Sequence, residues 1–322
     1  VRLAEGGDRV IVTVTLNPSV DRTVEVATLV RGAVIRAGGD RTDAGGKGIN
    51  VTRALAAHED DSRAVFPVGG SEGRLLVDML TEQGIDLLEV PVGNSARCNI
   101  AISEPDGTVT KINSLGNPLS PVEVEALCSA VRSCVPDATW FVAAGSLPRD
   151  VPDSFYADLV EMLRPTGVPV AVDTSGPPLS LAVKAGPALV KPNREELQEA
   201  VGRSLRTLGD VVDAAEQLRR EGAGTVLASL GRDGAVLVQE DGRWHAETQV
   251  VARSTVGAGD AMLAGFLHAG ARGPTALATA VAWGAAAASL PGSQMPGRAD
   301  LPSERVRVHQ EIEGTRQLRE NF

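Results

Sequence analysis

Val10 to Leu16 is a β-branched, apolar run halted by Asn17-Pro18-Ser19, the pattern of a buried first strand. Short apolar strands recur at Ala64 to Val68, Thr139 to Ala143, Val168 to Val172, Ala188 to Val190 and Thr225 to Ala228. Helical periods separate them, the first from Gly48 to Ala57. That alternation predicts a three-layer α/β fold, a mostly parallel central sheet with helices on both faces. Two stretches break the rhythm. Thr23 to Ala37 mixes short β-type runs around Gly32. Ala96 to Ser114 alternates through Asn99-Ile100-Ala101-Ile102-Ser103, turns at Pro105-Asp106-Gly107 and resumes at Val109 and Ile112. Both read as hairpins with one polar face, forming a small separate β-sheet or lid. The expected division is a core of 1–21, 45–95 and 115–322 and a lid of 22–44 and 96–114. From Asp300 the chain turns polar and rich in Arg and Glu, the pattern of a peripheral helix or frayed end.

Gly273 to Gly297 carries no charged residue and is long enough to span a bilayer. Its apolar content is mostly alanine, bracketed by Pro274 and Pro291, so membrane insertion is weakly driven and a buried core helix is expected. With 322 residues, 43% apolar and 22% charged, the chain has enough apolar surface for a large core, which excludes general disorder. A net charge of −10 and only nine aromatics argue against nucleic acid as a partner. Cys98, Cys128 and Cys134 have no C-x-x-C spacing, so a disulfide framework or zinc site is not expected and a reducing cytoplasm fits best. Glu5 and Asp8 precede the first apolar run, unlike a secretory leader.

Three segments carry the candidate chemistry. Ser254-Thr255-Val256-Gly257-Ala258-Gly259-Asp260-Ala261-Met262 runs into a helix whose free N–H groups and positive end suit an anion. It is not a dinucleotide fingerprint, because Met262 stands where the last glycine would be. Asp260 is either a reactive carboxylate or a first-turn acid complementing the helix dipole. Asp43-Ala44-Gly45-Gly46-Lys47-Gly48-Ile49-Asn50 also leads into a helix, but Gly48 and Arg41 break the phosphate-loop pattern. Only four of the 31 basic residues are lysines, and Lys47 and Lys191 both fall inside motif-like segments. In Lys191-Pro192-Asn193-Arg194-Glu195-Glu196, Asn193 and Glu196 share a helical face that could orient hydrated Mg²⁺ and phosphate, or could simply form a capping box. Glycine turns at Gly145-Ser146-Leu147-Pro148 and Ser229-Leu230-Gly231 also follow apolar strands. His58, His245, His268 and His309 show no metal spacing. Ser146 lacks the second glycine of a hydrolase elbow.

Taken together, TLNPSVD (15–21), AGGKGIN (44–50), GSLP (145–148), VKPNREEL (190–197), SLGRDGA (229–235) and STVGAGDAM (254–262) resemble, in family order, the PfkB (ribokinase-like) carbohydrate kinases over nearly the whole chain. The resemblance implies a ribokinase-like fold with a β-sheet lid, and Asp260 as catalytic base. Gly257, Ala258 and Gly259 would form the anion hole. Asp21, Gly45, Gly46 and Asn50 would contact sugar hydroxyls, with Ser146 nearby; Lys47 and Arg97 would hold the sugar's phosphate. On the ATP side it implies Lys191, Asn193, Ser229, Gly231, Thr255 and Ser289, the last at a helix end bordering the adenine. Asn193 and Glu196 would govern Mg²⁺. AGGKGIN is shared by the fructose-1-phosphate and tagatose-6-phosphate branches, whereas Ala33 follows Gly32 where the 6-phosphofructokinase branch carries lysine. The implied reaction is ATP-dependent phosphorylation of D-fructose 1-phosphate at the C6 hydroxyl, with tagatose 6-phosphate or fructose 6-phosphate kinase activity, or a silent sugar-phosphate sensor, as alternatives. Edge strands on the lid further imply a homodimer, with neither a membrane nor a nucleic-acid partner.

Overall fold

A computed structural model describes residues 10–302 and 306–319. The acidic lead with Glu5 and Asp8 lies outside them. The parallel part of a ten-stranded sheet consists of β1 (Val10–Val14), β4 (Ser62–Val68), β5 (Asp86–Pro91), β8 (Ala138–Ala144), β9 (Val170–Asp173), β10 (Leu189–Val190) and β11 (Thr225–Ser229). Antiparallel β12 (Ala235–Gln239), β13 (Gly242–Glu247) and β14 (Arg307–His309) extend one side, giving the order β14-β13-β12-β11-β10-β9-β8-β1-β4-β5.

Alternate residues of the central strands enter two different cores, which is why these strands read as continuous apolar runs. Val10, Val12 and Val14 of β1 join one core with Phe141 and Ala143 of β8, while Ile11, Val142 and Ala144 join the other. The first core is closed by α3 (Pro121–Ser133), α4 (Phe155–Leu163), α5 (Pro177–Lys184), α6 (Arg194–Val201) and α7 (Leu208–Glu221). The second is closed by α1 (Lys47–Ala56), α8 (Ala258–His268) and α9 (Gly273–Ser289). The alanine-rich segment is thus a core helix. Ala276, Ala280, Ala286 and Ala287 are fully buried, and Gly265 of α8 lets the Trp283 indole approach the α8 backbone. Among the described residues no helix is long and apolar enough to cross a membrane.

The small sheet is separate, with order β3-β2-β6-β7 from β2 (Ser19–Glu25), β3 (Gly39–Gly45), β6 (Arg97–Ser103) and β7 (Val109–Ile112). Its two antiparallel pairs are joined by a parallel β2–β6 ladder. The segment expected to be the first hairpin, Thr23 to Ala37, is mostly the irregular connection between β2 and β3. The ladder runs from Ser19↔Gly45 to Glu25↔Gly39 and leaves 26–38 without strand partners. α2 (Gly70–Glu82) packs Leu76 and Leu80 against Phe66 of β4 and Val20 and Ala44 of the small sheet, fixing the sheet to the core.

Beyond Asp300 the chain supplies an edge strand rather than a helix. β14 pairs with β13, and Arg316 grips Glu247 at 2.7 and 3.1 Å while reaching Asp233 at 3.4 Å. Residues 303–305 and 320–322 of that tail lie outside the described chain.

Candidate active site

Gly257 is the N-cap of α8 with φ of 76°, a left-handed conformation that glycine adopts without strain, and no side chain caps this end of the helix. A methyl at Gly257 would stand 2.6 Å from Met295 Cε. Ala258 N–H donates to Thr255 O at 3.4 Å, and with no side-chain cap the positive helix end remains able to meet an anion. Asp260 lies in the first turn, 6% exposed, with its Oδ2 accepting from Asn50 Nδ2 at 2.9 Å. Burial, reinforced by the charge of Asp173, pushes its carboxyl up to about 6, against the pull of Lys47, Asn50 and Lys191. A buried carboxyl pushed up in this way is suited to accepting a proton.

Asp173, the last residue of β9, is the hub beside it. The sequence reading ended this strand at Val172 and passed over the residue that follows. Asp173 is fully buried; its Oδ1 accepts from Lys47 Nζ at 2.8 Å, and Lys191 Nζ stands 3.1 Å from Oδ2. Burial opposes its ionisation, but the two ammonium groups outweigh that and hold its carboxyl below the usual range. Lys47 also reaches Glu196 Oε1 at 3.3 Å. Burial disfavours the Lys47 charge, yet Asp173, Glu196 and Asp260 overcome it and raise its pKa. Lys191, 4% exposed, lies where a side chain at Gly259 would have to be, 3.1 Å from that position. Two of the four lysines thus converge on one carboxylate at the carboxyl ends of parallel strands, where open α/β sheets bind ligands.

Asn193 and Glu196 make the capping box: Asn193 Oδ1 accepts from Glu196 N and Glu196 Oε2 from Asn193 N, both at 2.8 Å. Glu196 Oε1 remains turned to Lys47. The capping-box reading of this pair is therefore the one the structure shows. Ser229 bridges Asn193 in parallel fashion, and Gly231 opens a short 3₁₀ turn after β11. Ser289 ends α9 with its hydroxyl donating to Ala286 O; the neighbouring Ala288 carbonyl accepts from Arg253 and Ser254 N–H, tying α9 to the approach to Thr255.

On the small-sheet side, Asp21 of β2 accepts from Ser19 Oγ at 2.7 Å and Asn99 Nδ2 at 2.8 Å. Gly45 and Gly46 pass so close to Ser19, Asp21 and Thr15 that side chains there would collide. Arg97 of β6 donates through Nη1 to Ser114 O at 2.9 Å, while its Nε is buried without a hydrogen-bond partner, a donor left for an anion. Ser146 Oγ accepts from Asn17 Nδ2 at 3.2 Å. Asn17, Asn99 and Asp173 were missed in the sequence because each meets its partner across long chain separations, and Arg53 because its contact with Asn50 within α1 looks like an ordinary helix-surface pair. Only Asp173 left a signal, a carboxylate closing an apolar strand. Among the histidines, His245 and His309 do come together beside Glu247, but both oxygens of that carboxylate are already held by Arg316.

The fold and this cluster define a carbohydrate kinase of the ribokinase-like class. The chain belongs to the pfkB family carbohydrate kinases, whose pattern matches residues 14–303. It is 38% identical over 284 residues to the 1-phosphofructokinase of Rhodobacter capsulatus, covering 85% of this chain and 90% of that protein. Among solved structures, it resembles the phosphofructokinase-2 from Escherichia coli in complex with fructose-6-phosphate: TM-score 0.82, 30% identity, 91% of this chain and 96% of the other. The Arabidopsis thaliana ribokinase complexed with ribose and ATP shares the fold, with TM-score 0.72 at 24% identity over 91% of this chain and 97% of that one.

Proposed function

We propose that this protein transfers the γ-phosphoryl group of ATP to the C6 hydroxyl of D-fructose 1-phosphate, giving fructose 1,6-bisphosphate. The observation that carries the proposal is the placement of Asp260: a buried carboxyl held by Asn50 Nδ2 at 2.9 Å, one position past the Gly257–Gly259 run at the leading end of α8, and pushed by burial up to about 6. In the transfer, the sugar O6–phosphorus bond forms as the bond from phosphorus to the leaving ADP oxygen breaks, and the hydroxyl proton passes to Asp260. The amides of Gly257, Ala258 and Gly259 meet the charge that develops on the phosphoryl oxygens. No covalent enzyme intermediate is needed. Lys191, pinned beside Gly259, adds positive charge on the ATP side, where Thr255, Ser229, Gly231 and Ser289 line the nucleotide.

A hard divalent cation fits the oxygen donors here. Glu196 Oε1, the carboxylate oxygen outside the capping box, already faces a cation in Lys47, so Glu196 with Asn193 beside it would hold Mg²⁺, which when bound would supply charge neutralisation to the ATP phosphates. Asp21, Asn50 and the glycine backbone at 45–46 face the sugar hydroxyls. Arg97, with its unpaired Nε, takes more of the existing sugar phosphate than Lys47, whose ammonium is shared by Asp173 and Glu196. The small sheet serves as a lid over the sugar, excluding water. Three free thiols suit a cytoplasmic enzyme.

Coupled assays at matched concentrations of fructose 1-phosphate, fructose 6-phosphate and tagatose 6-phosphate test the assignment. The highest kcat/KM is expected for fructose 1-phosphate, and a higher value for either competitor would end it. Ligand binding without turnover of any of the three would instead favour a sensor.

The small sheet also leaves the cross-strand pair Ile100–Ile112 and Val109 exposed. Exposed apolar strands invite pairing, so a homodimer through this sheet is expected. Sedimentation at micromolar concentration should show a species of twice the chain mass, and I100D/I112D should shift it to the monomer.

A further inference from the structure

Arg53, on α1 one turn beyond Asn50, is a buried guanidinium, 9% exposed, with no carboxylate in ion-pair contact among the described residues. Its Nε donates to Gln83 Oε1 at 2.9 Å; its Nη1 faces three oxygens, Ala44 O at 3.1 Å, Asn50 Oδ1 at 3.2 Å and Ser293 O at 3.2 Å. Taking such a cation out of water is costly; Asp43 and Asp21 of the small sheet favour its charge without ion-pair contact, and neutral oxygens make its hydrogen bonds. The three oxygens belong to the end of β3, to α1 and to the segment after α9. One of them bears on the chemistry.

Asn50 has two ends with opposite hydrogen-bonding character, and nothing in its shape fixes which one faces Asp260. A guanidinium can only donate. With Arg53 on Oδ1, the amide must present Nδ2 to Asp260, the arrangement observed at 2.9 Å. Rotated by half a turn, it would present Oδ1, which Asp260 can meet only by carrying a proton.

We infer that Arg53 is a positioning residue for the reaction: by occupying Asn50 Oδ1 it locks the amide with Nδ2 toward Asp260 and keeps that carboxylate aimed and ready to accept a proton. This rests on the reading of Asp260 as the base. The other charged groups facing Asp260 are Lys47 on α1, Asp173 at the end of β9 and Lys191 after β10; α9, packed along α8, carries none. None of them constrains the Asn50 amide, so the effect belongs to Arg53.

The test compares the parent with R53M, R53K, D260N and R53M/D260N. In R53M, kcat should fall about 10- to 100-fold, KM for either substrate should move less than about threefold, and the acid limb of the pH profile should rise by about one unit. R53K, which can still donate to Asn50 Oδ1, should recover part of the loss. Adding R53M to D260N should cost nothing further, because the path ends at that carboxyl. A cavity of about 440 Å³ is lined by Arg53, Gln83, Leu290, Gln294, Met295 and Asp300, so methylguanidinium should reach the site and restore rate to R53A. Carboxyl ¹³C NMR of Asp260, assigned by its loss in D260N, reads the same link without turnover: its titration midpoint should rise in R53M, or in R53K by less if R53M does not fold. An unmoved midpoint, a loss confined to KM, or additivity with D260N would overturn the inference. A parent that never phosphorylates a sugar would sink the functional reading while the NMR result still decides this one.

Discussion

Asp260→Asn lowers kcat by about 10²- to 10⁴-fold, the usual worth of a positioned general base, with little change in substrate affinity. The amide keeps the shape of the carboxylate and can still meet Asn50 through its oxygen, so the loss reports proton acceptance rather than packing. The parent's kcat/KM should rise with pH through about 6, where burial has pushed the Asp260 carboxyl, and the residual rate of the variant should lack that limb. Stability should move the opposite way. A carboxyl whose folded pKa lies near 6, above its ordinary 3.8, holds its proton more tightly when folded, so its ionisation progressively destabilises the fold as pH rises through that window. At neutral pH D260N should therefore melt at or above the parent temperature, and the difference should vanish in acid below the ordinary carboxylate value. Parental turnover in D260N would remove the basis of the kinase mechanism.

The largest stability effect is expected at Asp173. Asp173→Asn leaves Lys191, 4% exposed, without its counter-charge and Lys47 with Glu196 alone. Breaking a buried ion pair from one side typically costs about 3–5 kcal/mol, because the remaining charge stays desolvated. For Asp173 the linkage has the sign opposite to Asp260. Its folded pKa is depressed by the two lysines, so its contribution is present above the ordinary carboxylate pKa and is lost as pH falls through the folded value. Urea unfolding at neutral pH should show the full deficit, and in strong acid parent and variant should converge. D173N/K191M, which removes the stranded ammonium as well, should recover most of the loss. A D173N protein as stable as its parent, or a double variant with additive losses, would mean that the lysines find other partners and that Asp173 is not the hub of this site.

Much of the layered core was legible in the chain because a strand buried on both faces must be apolar at every position. Phe141 to Ala144 and Val226 to Ala228 meet that condition, and Val10 to Val14 does so except at Thr13, whose buried hydroxyl is satisfied by Thr52 Oγ1 at 2.6 Å. The edge strands were harder to read. β5 is half-exposed, and β14 is a three-residue strand held by its ladder to β13, with Val308 alone packing on the core. The irregular stretch 26–38 misled for a related reason: its apolar Leu29, Val30 and Val34 are exposed, and β-type composition without a ladder partner does not make a strand.

The sequence by itself determined the α/β rhythm, the glycine-led start of α8 with Asp260 in its first turn, and the Asn193–Glu196 cap, since each depends on residues within a few positions of one another; the small second sheet was legible only as β-type composition, because its β2–β6 ladder joins residues 78 positions apart. Tertiary structure alone decided that Lys47 and Lys191 would share Asp173, across 126 and 18 residues of chain respectively, that Asn50 would reach Asp260 over 210, and that Arg53 would reach Ser293 over 240. The physical reason is the reach of each interaction. Backbone propensity and capping act over a turn or a strand, whereas a buried charge takes its protonation state and its partner from whatever groups the completed sheet brings alongside it.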